Sequence, residues 1–124
     1  MPMTPRHLAP LALVFASTLA LAQSPVKVAD GMVVNAAGMT VYTFDKDTPG
    51  SGKSACNGPC AQLWPPVMAD AGAMANGDLS VVTRDDGTKQ WAWKGKPIYL
   101  YAKDMKPGER TGDNFKDVWH VIKP

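Results

Sequence analysis

Very little in this chain belongs to the usual apparatus of catalysis or metal capture. It has two histidines and two cysteines in 124 residues. It contains no Gly-x-Ser-x-Gly elbow, no phosphate-cradling glycine loop and no His-Glu-x-x-His pair, so the hydrolases, nucleotide enzymes and zinc peptidases that carry those motifs find no support. The Asp85-Asp86 carboxylates sit beside Gly87 and read as turn residues. Runs of one charge are also missing. Thirteen Lys/Arg and eleven Asp/Glu are scattered, leaving a formal net charge of +2. Nucleic-acid binding would need clustered cations, and a charge-driven disordered tail would need a block of one sign, so both are excluded. No stretch repeats with the period of a long amphipathic helix.

Long apolar runs are scarce too. The longest, Leu8 to Leu21, is broken by Pro10 and by Ser17-Thr18. It is shorter than the roughly 20 residues that cross a bilayer. Arg6 and His7 precede it, and Ala20-Leu21-Ala22 supplies small residues at a cleavage position, so residues 1–22 read as a signal peptide cut near Ala22/Gln23. The expected product is periplasmic or secreted, without a membrane span. Its 102 residues (124 minus 22) suffice for one domain and are too few for two separate cores.

What is present is aromatic and repetitive. Gly38-Met39-Thr40-Val41-Tyr42-Thr43-Phe44-Asp45-Lys46-Asp47 is echoed 57 positions later by Gly95-Lys96-Pro97-Ile98-Tyr99-Leu100-Tyr101-Ala102-Lys103-Asp104. Each copy places Tyr four, an aromatic six and Asp nine residues after a Gly. Alternating segments precede the phrase in both copies: Val26 to Val28 and Met32 to Asn35 in the first, Leu79 to Thr83 and Lys89 to Trp93 in the second. Asp30-Gly31 and Asp86-Gly87 mark turns. Strands are expected over Met39 to Phe44, Ile98 to Tyr101 and Asp117 to Ile122. Trp64 and Trp119 follow their glycines by 26 and 24 residues and read as the last repeated feature. The predicted fold is all-β, a small sandwich or barrel of two pseudo-symmetric repeats (about 26–68 and about 79–122). At most a short helical turn is expected near Cys60 to Trp64, stopped by Pro65-Pro66. Residues 69–77 read as a connector.

The two Tyr-x-aromatic-x-x-Asp phrases, with Cys56-Asn57-Gly58-Pro59-Cys60-Ala61 and Leu63-Trp64-Pro65-Pro66, make the chain resemble the bacterial "secreted repeat of unknown function" family. Its members are described as predicted lipoproteins carrying this motif. The resemblance runs from about Val26 to Ile122 and implies a secreted or envelope protein. It supplies no activity. Gln23 stands where a lipid-attachment Cys would follow the cleavage point, so a lipid anchor is not encoded there.

Candidate chemistry rests on few residues. Tyr42, Phe44 and Asp47, with Tyr99, Tyr101 and Asp104, form either a pair of ligand-contacting sites or a core whose carboxylates accept loop N–H groups. Trp91 and Trp93 share one strand face and form either core or an aromatic platform. Cys56 and Cys60 are most simply a disulfide in an oxidising compartment, closing a ring worth only about 2 kcal/mol. Their alternative is a soft-metal or thiol-redox site, with copper bound by Cys56, Cys60 and His120. Asp45-x-Asp47-x-x-Gly50 lacks the remaining oxygen donors of a calcium loop. The resulting expectation is a non-enzymatic, monomeric, cofactor-free module that binds an envelope protein or a small ligand.

Overall fold

A computed structural model describes residues 24–124. The signal-peptide reading of residues 1–22 lies outside the described residues. Eight strands carry the fold, four from each repeat. The first repeat supplies β1 (Val26–Ala29), β2 (Met32–Asn35), β3 (Tyr42–Phe44) and β4 (Met68–Ala69). The second supplies β5 (Leu79–Thr83), β6 (Lys89–Trp93), β7 (Lys96–Tyr99) and β8 (Trp119–Val121). A five-residue helix, α1 (Pro59–Leu63), precedes Trp64, and a 3-10 turn at Phe115–Asp117 precedes Trp119. The chain is all-β with two pseudo-symmetric halves.

The halves are joined by exchange rather than by stacking face to face. Strands β3 and β7, the two aromatic phrases, pair antiparallel with Tyr42 opposite Tyr99. On the far side of β3 lies β8, from the other repeat, with Phe44 opposite Trp119. On the far side of β7 runs the segment after Trp64, also from the other repeat: Pro66 bridges Tyr99, and the Leu100 N–H donates to Pro65 C=O at 2.7 Å. Backbone bonds match across a local two-fold between the tyrosines. The Asp45 N–H donates to Val118 C=O at 2.8 Å, and the Ala102 N–H to Leu63 C=O at 2.9 Å. Further out, Val33 bonds Ile122 at 2.9 Å and Trp91 bonds Val67 at 2.8 Å. In the sheet order β4-β6-β7-β3-β8, with β5 beside β6, the β4–β6, β7–β3 and β3–β8 pairs join the two repeats, while β5-β6-β7 pair within the second; β1-β2 forms a separate two-stranded sheet.

Strand alternation divides the buried residues between two faces. Val41, Ile98 and Ile122 join Val26, Val33, Val67 and Leu79 in an aliphatic cluster. Tyr42, Tyr99 and Trp119 join Trp64, Tyr101 and Cys56 in a ring cluster on the opposite face. The central strands therefore separate two cores, and Val41, Tyr42, Ile98 and Tyr99 are all fully enclosed.

Several expected boundaries move. The strand expected over Ile98 to Tyr101 runs from Lys96 to Tyr99; beyond it Leu100 and Ala102 still bond the Pro65 and Leu63 carbonyls, and the chain turns at Ala102-Lys103. The strand expected over Asp117 to Ile122 contracts to Trp119–Val121. Asn114, Lys116 and Asp117 adopt positive φ (63°, 50° and 59°), a left-handed path that coils the chain before Trp119. Residues Met68 and Ala69 form a short strand against β6, so the connector begins one residue later than expected.

The tightest packing lies at Gly112. A methyl group there would sit 2.6 Å from the Trp64 ring and 2.8 Å from the Tyr101 ring. Gly112→Ala is expected to lower stability by about 1–3 kcal/mol, the usual cost of overpacking. Gly72→Ala, with open space around it, should leave the urea midpoint unchanged. An unshifted midpoint for Gly112→Ala would show that the rings can yield.

Candidate functional site

Each repeated carboxylate is claimed by the tyrosine of the opposite repeat. The Tyr42 hydroxyl donates to Asp104 Oδ2 at 2.5 Å, and the Tyr99 hydroxyl donates to Asp47 Oδ2 at 2.6 Å. The second oxygen of each carboxylate organises its own loop. Asp47 Oδ1 accepts the Ala55 N–H at 2.6 Å, and Asp104 Oδ1 accepts the Thr111 N–H at 2.9 Å. Both aspartates also close the same tight turn, Asp47 N–H to Phe44 C=O and Asp104 N–H to Tyr101 C=O, each 3.0 Å. The repeated glycines complete the pattern. A Cβ on Gly38 would meet Pro107 at 3.2 Å and one on Gly95 would meet Gly50 at 3.1 Å, so each copy's Gly lies against the loop that follows the other copy's Asp.

The two ends of this arrangement differ in what surrounds them. At the Asp47 end the Tyr99 oxygen also shares a 2.6 Å bond with Ser54. Arg84, only 5 % exposed, donates to Ser54 at 3.1 Å, to Gln90 Oε1 at 2.7 Å and to the Cys56 carbonyl at 2.6 Å. Gln90 in turn donates to the Ile98 carbonyl at 2.8 Å. At the Asp104 end a hydroxyl and a backbone group stand in place of that cation. Thr111 donates its hydroxyl to Asp104, and the Gly112 N–H donates to the Tyr42 oxygen at 3.3 Å. Burial raises the pKa of Asp47 despite the opposing pull of Tyr99, the Ala55 N–H and Arg84. Burial, then the bonded carboxylate, pushes both phenols well above the ordinary tyrosine value. Arg84, Gln90 and Ser54 carry no signal in the sequence: Arg84 precedes Asp85-Asp86 and looks like one more turn residue.

Inside these bonds the rings form a column. Phe44 stacks on Trp119 (centroids 4.2 Å apart), Trp119 on Trp64 (3.9 Å, planes within 3°) and Trp64 on Tyr101 (4.1 Å). Successive members come from alternate repeats, and at the centre the two tryptophans meet across the local two-fold. Tyr42 presents its edge to Trp64 at 5.3 Å and Tyr99 to Trp119 at 5.1 Å. Tyr42, Tyr99, Tyr101, Asp47 and Asp104 are thus interior, with Phe44 partly buried at the end of the column.

The cysteines border the same cluster. Their sulfurs lie 2.08 Å apart and tie Cys56, ahead of α1, to Cys60 in its first turn. Cys56 is fully enclosed. His120 leaves β8 on the face opposite Trp119 and bonds Asp45 at 2.7 Å, half-exposed, so the structure does not bring Cys56, Cys60 and His120 together. Among the described residues no three His, Cys, Asp or Glu side chains gather where they could hold a metal ion.

Trp91 and Trp93 are the two of the eight aromatic and acidic candidates that pack on the aliphatic cluster, outside the ring column. They alternate with the fully buried Gln90 and Ala92, half-bury their rings against the aliphatic cluster and leave an edge open. Two adjoining hollows of about 460 and 250 Å³ run along this face between the β1-β2 and β5-β6 hairpins, and both are lined by Ser24, Asn76 and Leu79. Trp91, Met68 and Met74 line the first; Trp93, Val26 and Val28 line the second. Of the four large apolar residues that are well exposed among the described residues, three (Val28, Met68 and Met74) border this groove, and only Met105 does not.

A family model described as a secreted repeat of unknown function matches residues 24–68 and again residues 80–123. No curated protein and no solved structure matches the chain. No helix of the described residues is long and apolar enough to cross a membrane.

The raised phenol pKa values give a pH signature. Above about pH 10 an unfolded tyrosine loses its proton while Tyr42 and Tyr99 keep theirs in the fold. The native state then binds more protons than the unfolded one, so stability is retained below that pH and falls as pH rises through it. Urea midpoints measured on the alkaline side should fall steeply, and Tyr42→Phe and Tyr99→Phe should each remove about one proton from the slope. An unaltered slope in both variants would place the titration elsewhere.

Proposed function

The chain belongs to the family described as a secreted repeat of unknown function, and from that membership we propose an exported, non-enzymatic binding module of the bacterial envelope. Its binding surface is the groove between the two hairpins, with Trp91, Trp93 and Leu79 as floor. The observation that carries this reading is the contrast between the two sets of rings. Tyr42, Tyr99 and Tyr101 are buried together with Trp64 and Trp119, and Phe44 closes the end of their column, whereas Trp91 and Trp93 lie outside that cluster and remain half open beside three exposed apolar side chains. A contiguous apolar patch on an exported domain is a place for something to bind.

An extended segment of a partner polypeptide fits this surface best. Strand β1 pairs with β2 alone, so its outer edge offers backbone donors and acceptors beside the groove. Pro25 and the exposed Lys27 on that edge discourage indiscriminate strand pairing, a guard that leaves recognition to the side chains below. The module acts as a monomer and needs no cofactor for this role.

A soft-metal or thiol-redox protein using Cys56 and Cys60 is the second reading. Its support is the cysteine pair itself, close in sequence, with Cys60 on the first turn of a helix and Cys56 just ahead of it. Against it stand the enclosure of Cys56 and the direction of His120, which bonds Asp45 instead of facing the pair.

Two measurements separate these readings. Peptides selected from a random library on the immobilised domain should alternate apolar and polar residues. They should lose binding to Trp91→Ala and Met74→Asp while still binding Met105→Asp, which lies off the groove. Peptides indifferent to the groove variants would overturn the binding reading. The folded protein, treated with mild reductant and an alkylating agent, should gain label on neither cysteine until it is denatured; rapid labelling of the native protein would favour the redox reading.

A further inference from the structure

Packing alone does not account for the geometry of the ring column. Aromatic pairs that simply fill a core favour offset or edge-on contacts with centroids about 4.5–7 Å apart. Here three consecutive contacts are near-parallel at 4.2, 3.9 and 4.1 Å. The central one overlays two indoles, the side chains of the cluster that most easily lose an electron without losing a proton. Direct overlap of this kind lets a positive charge spread over both rings. Each indole also touches the edge of a different phenol, Tyr42 on Trp64 and Tyr99 on Trp119. Each phenol in turn already donates its hydrogen bond to a buried carboxylate. The constellation is therefore a pair of oxidisable indoles flanked on both sides by a phenol with its own proton acceptor in place.

We propose that the ring column is a radical relay that accepts one-electron oxidation at the Trp64–Trp119 pair and stores it as a neutral tyrosyl radical at Tyr99 or Tyr42. The oxidant is a one-electron oxidant of the exported compartment, such as an oxyl or peroxyl radical. It takes one electron from the indole pair, is itself reduced, and leaves a radical cation shared by Trp64 and Trp119. Tyr99 passes one electron to that cation, restoring the indoles, while its phenolic proton crosses the 2.6 Å bond to Asp47. The products are a neutral tyrosyl radical and a neutral carboxylic acid. One electron has left the protein and no proton has. The same step runs from Tyr42 to Asp104. Proton transfer over such a distance needs no rearrangement and no water. The raised proton affinity of the buried Asp47 makes it a better acceptor than an exposed carboxylate. Such a relay would divert oxidising equivalents away from the half-open Trp91 and Trp93 and the exposed methionines, which the groove requires unmodified.

The test uses Trp91→Phe/Trp93→Phe protein, in which the stacked pair provides the only indoles. A photogenerated ruthenium(III) polypyridyl complex serves as the oxidant, and transient absorption follows the radicals. The expected record is an indole radical that decays into a tyrosyl radical at a rate independent of buffer concentration, since the proton acceptor is internal. Adding Tyr42→Phe and Tyr99→Phe should prolong the indole radical and remove most of the tyrosyl yield. Three results would overturn the proposal: decay of the indole radical with no tyrosyl signal, a rate that climbs with buffer base, or an unchanged yield in the phenylalanine variants. Should those variants fail to fold, the buffer dependence in protein retaining both tyrosines decides the matter alone.

Discussion

The hydrogen bond from each tyrosine to the other repeat's aspartate is the constraint on which the molecule turns. A buried carboxylate must be paired or it costs several kcal/mol. Each repeat's own loop serves one oxygen of its carboxylate, through Ala55 for Asp47 and Thr111 for Asp104. The other oxygen is met by the opposite repeat, Tyr99 for Asp47 and Tyr42 for Asp104. The loops shaped by those carboxylates carry Cys56 and Gly112 to the flanks of the ring column, so the bonds and the column share the same loops. Strand exchange obeys the same logic: β8 of the second half flanks β3, and Pro66 of the first half bridges the end of β7. The contacts that join the repeats link residues 52 and 62 positions apart. That is a non-local topology of the kind that folds slowly.

Much of this architecture is legible in the amino-acid sequence. Alternation places Val41 and Tyr42 on different faces, and the two faces are indeed two cores. The spacing of Trp64 and Trp119 from their glycines marks them as equivalent, and they meet in the closest stack in the column. The short helical turn ahead of Trp64 is present as α1. These signals are strong because each is local: a period of two, a helix stop at Pro65-Pro66, an Asp in a turn.

The exchange itself is not legible, and for a physical reason. A Gly, a Tyr and an Asp at fixed offsets look the same whether the Tyr meets its own Asp or its twin's. Only the register of β3 against β7 decides, and register is a tertiary property. Arg84 is hidden for a similar cause. Its neighbours Asp85 and Asp86 announce a solvent-facing loop, yet Ser54, Gln90 and the Cys56 carbonyl draw its guanidinium inward. The shortening of β8 depends on left-handed backbone at Asn114, Lys116 and Asp117, residues with no glycine to advertise it. The groove is visible only as a choice between core and platform for Trp91 and Trp93, which burial resolves as half of each.

The crossed pattern also says something about ancestry. Cut the chain in residues 69–77 and each piece retains a Gly, a Tyr, an Asp and a Trp whose natural mates all sit on a second copy of itself. Two such half-length chains, placed about a common axis, would recreate the tyrosine–aspartate bonds, the central tryptophan stack and the swapped outer strands. The present protein is in that sense an intertwined homodimer whose subunits have been tied end to end. The two halves are nonetheless not identical: one end holds a buried arginine and a disulfide, and the other a bare glycine.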